Sequence, residues 1–163
     1  MSGRLVILRH ADAEHTGGTA DIDRELTGTG RARAAAAGEL LVREGVRPDH
    51  VICSPARRTR QTLDLVAERL PARPTVEYEP AAYTADPDQM LELISRVDPD
   101  VRTLLVVGHN PTMAQLALAF TDSAAAVSFP PASIAVVDLE VGWLYAAPGT
   151  GTGRILPRPT IEE

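Results

Sequence analysis

The chain of 163 residues is 44% hydrophobic and 23% charged, which is typical of one globular domain with its own hydrophobic core. Its formal net charge of -6 argues against a nucleic-acid-binding protein, because such proteins usually carry a basic face. The single cysteine, Cys53, has no internal partner for a disulfide, and this favours a reducing compartment.

Neither a secretory signal nor a membrane span is predicted. The apolar run that follows Arg4 is too short for the hydrophobic part of a signal peptide. The apolar region 133–147 is interrupted by Asp138 and Glu140, so it is not expected to cross a membrane. The sequence therefore predicts a cytoplasmic protein, with a monomer as the default state.

Short apolar runs alternate with segments of helical periodicity along most of the chain. This alternation predicts the α/β class, as a three-layer α/β/α sandwich with helices on both faces of a mostly parallel central sheet. The whole chain, 1–163, is interpreted as one domain in which 150–163 form a loosely held tail. The predicted strands are 5–8, 50–53, 75–78, 103–107, 134–139 and 143–147, and the predicted helices are about 27–44, 56–70, 86–97 and 110–120.

Arginine and histidine side chains follow three of these strands. Arg9 and His10 follow the first, the pair Arg57 and Arg58 comes shortly after the second, and His109 follows the fourth. Ligands collect beyond the carboxyl ends of the strands in open α/β sheets, so these side chains are expected to converge there. Because such a cluster is unfavourable without a negative partner, the pattern predicts a pocket for a phosphoryl group.

The chemistry of the two residue types fits that pocket. A guanidinium binds phosphate with a planar fork of donors, and a neutral imidazole is a good nucleophile or general base near neutral pH. The alternative interpretation is that Arg9 and His10 are solvated residues at a strand end, that Arg58 is a surface helix residue and that His109 is a core histidine.

Three motifs together resemble the histidine phosphatase superfamily, and the short middle of the chain is similar to its SixA-type phosphohistidine phosphatases. The resemblance implies a phosphoglycerate mutase-like fold and extends from Arg4 to about Leu139. The motifs are Leu8-Arg-His-Ala11, Ser54-Pro-Ala-Arg-Arg58-Thr-Arg-Gln-Thr62 and Val107-Gly-His-Asn-Pro111.

The resemblance also implies a covalent mechanism without a metal or another cofactor. His10 would attack phosphorus and form a phosphohistidine intermediate, which water then hydrolyses. Arg9, Arg58 and His109 would bind the non-bridging oxygens and stabilise their charge in the transition state. The Ser-Pro-x-x-Arg spacing selects Arg58, so that Arg57 would face elsewhere.

Two features depart from the usual pattern of the superfamily. Ala11 stands where a glycine usually follows the histidine, and its methyl group would crowd the loop if the residue had a positive φ. The inserted segment that carries an acidic proton donor in larger members has little room in this chain. Glu79 is the candidate for that donor, and the alternative is that it is an ordinary solvated glutamate.

The predicted function is therefore a metal-independent phosphatase that removes the phosphoryl group from phosphohistidine in a partner protein. One alternative is a broad phosphomonoesterase of the same superfamily, with a small phosphoester as substrate. A second alternative, from a different class, is a phosphate-binding module without catalytic activity. No nucleic acid and no membrane is expected among the partners.

Overall fold

A computed structural model describes residues 2–15 and 17–161 of the chain. Strands and helices alternate along most of it, which confirms the predicted α/β class. The strands are β1 (Arg4–Arg9), β2 (His50–Cys53), β3 (Thr75–Tyr78), β4 (Thr103–Gly108), β5 (Ile134–Leu139) and β6 (Gly151–Ile155). The helices are α1 (Gly28–Arg43), α2 (Arg57–Arg69), α3 (Pro87–Ser95), α4 (Thr112–Leu118) and α5 (Ala125–Ser128), with 3-10 turns at Asp21–Asp23, Pro80–Tyr83 and Trp143–Tyr145.

The six strands form one mixed sheet in the order β3-β2-β4-β1-β5-β6. The first four strands of this order run parallel, whereas β5 is antiparallel to β1 and β6 is antiparallel to β5. The register pairs Arg9 with Gly108, and Cys53 with Val107. The carboxyl ends of β2, β4 and β1 therefore lie side by side at one edge of the sheet.

Helices cover both faces of the sheet. Side chains alternate along each strand, so successive residues of β1 pack against different helices. In β1, Leu5 and Ile7 pack with the cluster that contains Met90 of α3 and Leu116 of α4. The intervening residues of β1 belong to a second cluster with α1 and α2, which contains Val6, Leu8, Leu41, Leu63 and Val66. Parallel strands that are buried on both faces read as continuous apolar runs, and this explains why β1 and β4 could be recognised from the sequence.

Local sequence fixes where the helices begin. The Thr27 side chain accepts a hydrogen bond from the Gly30 amide at 2.9 Å and caps α1. Gly30 also passes so close to the carbonyl of Asp12 that a β-carbon at this position would overlap it. The start of α1 is thereby held against the loop that follows β1. No helix in the described ranges is long and apolar enough to cross a membrane.

The last part of the chain differs from the prediction in two ways. The segment predicted as a strand at 143–147 contains the 3-10 turn, in which the buried Trp143 indole donates to the Val101 carbonyl at 2.8 Å. The sixth strand lies instead at Gly151–Ile155, within the stretch 150–163 that was expected to be loosely held. Beyond it, Pro159 is buried.

Glycines explain why the sixth strand, Gly151–Ile155, was not predicted. A β-carbon at Gly153 would lie 2.8 Å from the Phe120 carbonyl, and the Gly153 amide donates to the same carbonyl at 2.8 Å. Glycine-rich sequence predicts flexibility when only composition is considered, but here it permits close approach of two backbones.

Candidate active site

His10 lies at the carboxyl end of β1 and is 7% exposed. Its Nδ1 is 2.7 Å from the Ala11 carbonyl oxygen. A carbonyl can only accept, so Nδ1 carries the proton and Nε2 keeps its lone pair. Burial lowers the pKa of His10 to about 3, with His109, Arg58 and Arg9 adding to the effect, although the bond to Ala11 opposes it. The imidazole is therefore neutral near pH 7 and has an available nucleophilic nitrogen.

The loop that carries His10 is fixed by main-chain hydrogen bonds. The His10 amide donates to the Gly108 carbonyl at 3.1 Å, and the Ala11 amide donates to the Thr62 hydroxyl at 3.0 Å. The Ala11 side chain is fully buried in a small cluster with Leu26, Ala34 and Ala132. Ala11 is not among the described residues with positive φ, so its methyl group fits where the superfamily usually has glycine.

Arg58 and Arg57 are consecutive residues with opposite environments. Arg58, in the first turn of α2, is 5% exposed. Its Nη1 donates to the Asp21 carbonyl at 2.7 Å, and its Nη2 donates to Asp21 Oδ2 at 3.1 Å. The Arg57 side chain is 47% exposed and pairs with Glu25 at 3.0 Å. The helical turn thus directs Arg58 into the cleft and Arg57 away from it.

His109 follows β4, and its ring centroid lies 5.4 Å from that of His10. Its Nε2 is 2.7 Å from Ser54 Oγ, and the edge of the Tyr83 ring packs against it with a centroid separation of 5.5 Å. Burial, and then the nearby charge of Arg58, lowers the pKa of His109 to about 4. The cleft therefore contains two neutral imidazoles near pH 7.

Three buried nitrogen atoms in this region have no hydrogen-bond partner among the described residues: Arg9 Nε, Arg58 Nε and His109 Nδ1. The residues that carry them line one cleft of about 450 Å³ together with His10. Arg9 also donates from Nη1 to the Phe129 carbonyl at 3.3 Å. Burial lowers the pKa of Arg9, and Arg158 adds to the effect. Both arginine Nε atoms are donors, and His109 Nδ1 is a donor when its Nε2 accepts from the Ser54 hydroxyl, whose oxygen already accepts from the Ala56 amide. Unpartnered buried donors are costly, so this cleft is suited to an anion that accepts several hydrogen bonds.

Glu79, the candidate proton donor, is not among the residues that line this cleft. Its carboxylate accepts from the Ala81 amide at 3.1 Å and caps the 3-10 turn Pro80–Tyr83. It lines a separate cleft with Ile52 and Arg96. Its side chain is turned onto its own backbone because the turn begins directly after it, and β3 lies at the edge of the sheet.

Sequence reasoning missed two residues of the cleft region, Asp21 and Tyr83. Asp21 contacts Arg58, and the Tyr83 hydroxyl donates to the same Asp21 carboxylate oxygen. Both residues stand on short 3-10 turns, which have no hydrophobic periodicity to reveal them. Within residues 2–15 and 17–161, no group of three or more His, Cys, Asp or Glu side chains is placed to hold a metal ion.

Burial of two neutral imidazoles should make stability depend on pH. The pKa values of His10 and His109 are lowered from 6.5, so the unfolded chain binds more protons as the pH falls below 6.5. Their contribution to stability is complete above that pH and is lost as the pH falls toward about 4 for His109 and about 3 for His10. Between pH 6 and 5, we expect the free energy of unfolding to fall by up to about 1.4 kcal/mol per pH unit for each histidine.

Urea unfolding at these two pH values measures the effect. Glutamine does not titrate, so His10→Gln is expected to show a shallower dependence than the unsubstituted chain. The same pH dependence in both would contradict the burial of a neutral imidazole at this position.

Several known proteins are similar to this chain in sequence or in fold. Residues 5–81 match the sequence profile of the histidine phosphatase superfamily (branch 1). An uncharacterised protein of Mycobacterium tuberculosis is 39% identical over 151 residues, which cover 87% of this chain and 93% of that protein.

Two solved structures that carry the name phosphohistidine phosphatase SixA are similar over nearly the whole chain. The protein from Nakamurella multipartitia has a TM-score of 0.86 at 29% identity, covering 99% of this chain and 98% of that one. The protein from Agrobacterium tumefaciens has a TM-score of 0.77 at 27% identity, covering 96% of this chain and 97% of that one. The chain therefore belongs to the histidine phosphatase superfamily, as a phosphatase of the SixA type.

Proposed function

We propose that the chain hydrolyses phosphohistidine in a partner protein through a covalent intermediate on His10, without a metal ion. The observation that carries the proposal is the set of three unpartnered buried nitrogens on Arg9, Arg58 and His109, which line the same cleft as neutral His10. A terminal phosphoryl group has three non-bridging oxygens, and each can accept a hydrogen bond from one of these donors.

In the first step, Nε2 of His10 attacks phosphorus while the bond from phosphorus to the leaving nitrogen breaks. Arg9 and Arg58 offset the charge on the non-bridging oxygens. His109 donates from Nδ1, with the Ser54 hydroxyl donating to its Nε2. The Ala11 carbonyl, 2.7 Å from His10 Nδ1, holds the ring and stabilises the positive charge that develops on it. In the second step, water attacks phosphorus, the bond from phosphorus to Nε2 breaks and Nε2 regains its lone pair, while the protons of the water leave with the product as dihydrogen phosphate.

Phosphohistidine is favoured over an alkyl phosphate as the substrate because the two leaving groups differ in their need for a proton from the enzyme. Glu79 lies outside the cleft, and the pKa of Asp21 is lowered to about 2 by the Tyr83 hydroxyl and Arg58, so its carboxyl is ionised near pH 7. Neither carboxyl can donate a proton to an alkoxide. An imidazole leaves readily once its other nitrogen is protonated, so a phosphoramidate needs such an acid far less than an alkyl ester does.

The test compares a protein carrying phosphohistidine with p-nitrophenyl phosphate and a sugar phosphate, at matched concentrations in EDTA. We expect phosphohistidine to lose its label at least about 100-fold faster than the sugar phosphate is cleaved, because general acid catalysis contributes about that much or more. Comparable rates on the sugar phosphate would favour the phosphomonoesterase alternative. Phosphate binding without turnover of any substrate would favour the binding module, and loss of activity in EDTA would contradict the metal-independent mechanism.

A further inference from the structure

Asp21 is an unusual neighbour for a phosphate-binding arginine. It lies on the short turn Asp21–Asp23, in the loop between β1 and α1, and its side chain is 55% exposed. Its carbonyl oxygen and Oδ2 accept from Nη1 and Nη2 of Arg58 at 2.7 and 3.1 Å. An exposed loop thus holds a buried guanidinium from the side of the cleft that faces solvent.

The Asp21 carboxylate is itself held by two further donors. Oδ1 accepts from Arg24 Nε at 3.1 Å, and Oδ2 accepts from the Tyr83 hydroxyl. The Tyr83 ring packs edge-on against His109, with centroids 5.5 Å apart. The carboxylate therefore connects Arg58, which follows β2, with the tyrosine that packs on the histidine following β4.

The charge of Asp21 has a consequence for phosphate. Arg9 and Arg58 together present two positive charges to a phosphoryl group, and an ionised carboxylate bound to Arg58 offsets one of them. Like charges a few ångströms apart near a protein surface repel each other, and for the exposed Asp21 carboxylate we expect this repulsion to lower the affinity for phosphate by about ten-fold. Without this carboxylate, the cleft would retain its product phosphate more tightly.

We propose that Asp21 is a positioning residue for Arg58 and that its negative charge weakens phosphate binding enough for the product to leave. This inference rests on the proposed function, because it assigns the cleft to phosphate. Asp21 lies in the loop after β1 and is not one of the four residues assigned above to attack or phosphate binding, which are Arg9, His10, Arg58 and His109.

The matched variants Asp21→Asn and Asp21→Ala separate the two effects. Both remove the charge and keep the main-chain carbonyl that accepts from Arg58 Nη1, but only asparagine keeps a side-chain oxygen that can accept from Nη2. The Asp21→Asn variant should bind inorganic phosphate about ten-fold more tightly by calorimetry, because one repulsive charge is gone. The Asp21→Ala variant should have a kcat about ten-fold below that of Asp21→Asn, because the guanidinium loses the side-chain acceptor of its Nη2.

Asp23→Asn is the control, since Asp23 is an exposed carboxylate on the same turn. It should match the unsubstituted enzyme in both measurements. The proposal is wrong if Asp21→Asn binds phosphate no more tightly than Asp23→Asn does, or if Asp21→Asn and Asp21→Ala have equal kcat. If the unsubstituted enzyme turns over phosphohistidine, such a result removes only the role of Asp21. If the unsubstituted enzyme neither binds phosphate nor turns over any substrate, the proposed function fails together with this inference.

Discussion

Replacing His10 by glutamine is expected to lower kcat by at least about 10⁴-fold, as loss of a catalytic nucleophile usually does. Glutamine keeps a polar group of similar reach but has no lone pair on nitrogen that can attack phosphorus. The remaining donors, on Arg9, Arg58 and His109, would still bind the phosphoryl group, so KM should change much less than kcat. Steady-state kinetics with phosphohistidine protein and with p-nitrophenyl phosphate measures both constants.

His50→Gln is the matched control, since His50 begins β2 at the opposite end of the strand from Ser54 and pairs with Glu77. Its kcat should stay within about two-fold of the unsubstituted enzyme, because His50 lies away from the cleft and contacts none of its residues named here. If His10→Gln keeps more than a tenth of the activity, the nucleophile is another group or water itself.

Replacing Arg58 by alanine is expected to lower kcat/KM by about 10³-fold, which is the usual cost of removing a preorganised donor to a developing charge. The change removes a buried positive charge and takes away the Arg58 partner of the Asp21 carboxylate beside the phosphate, so that Arg24 and Tyr83 remain as its donors. Arg58→Lys should recover only part of the loss, because an ammonium group cannot contact both phosphate and Asp21 through a planar fork.

The neighbouring residue provides the control for this prediction. Arg57→Ala removes the same side chain one position earlier, but from a surface pair with Glu25. Its kcat/KM should remain within about three-fold of the unsubstituted value, because exposed ion pairs contribute little. Equal losses in Arg57→Ala and Arg58→Ala would mean that α2 as a whole, and not Arg58, supports activity.

The core of the candidate site could be predicted because it depends on strand ends. Arg9 ends β1, His10 and His109 directly follow β1 and β4, and Arg58 is the second residue of α2, the helix after β2. Once the sheet is parallel and β2, β4 and β1 are neighbours, these positions must meet at one edge. The apolar runs in the sequence are enough to recognise those central strands.

The other features of the site and the fold depend on loop geometry, which the pattern of hydrophobic residues does not encode. Glu79 follows β3 at the same edge of the sheet, yet its carboxylate caps the next turn instead of entering the cleft. Asp21 lies in a polar loop with other acidic residues, and nothing in its spacing marks it as the partner of Arg58. The strand β6 was likewise not predicted, because its glycines allow a close backbone contact with Phe120 that the sequence pattern does not indicate.

The covalent intermediate on His10 is the central claim, and rapid-quench labelling with a radioactive phosphodonor tests it most directly. The unsubstituted enzyme should acquire label that is stable in alkali and lost in acid, as expected for phosphohistidine, and His10→Gln should acquire none. Label on His10→Gln, or rapid turnover by the unsubstituted enzyme with no label at any quench time, would contradict nucleophilic attack by His10.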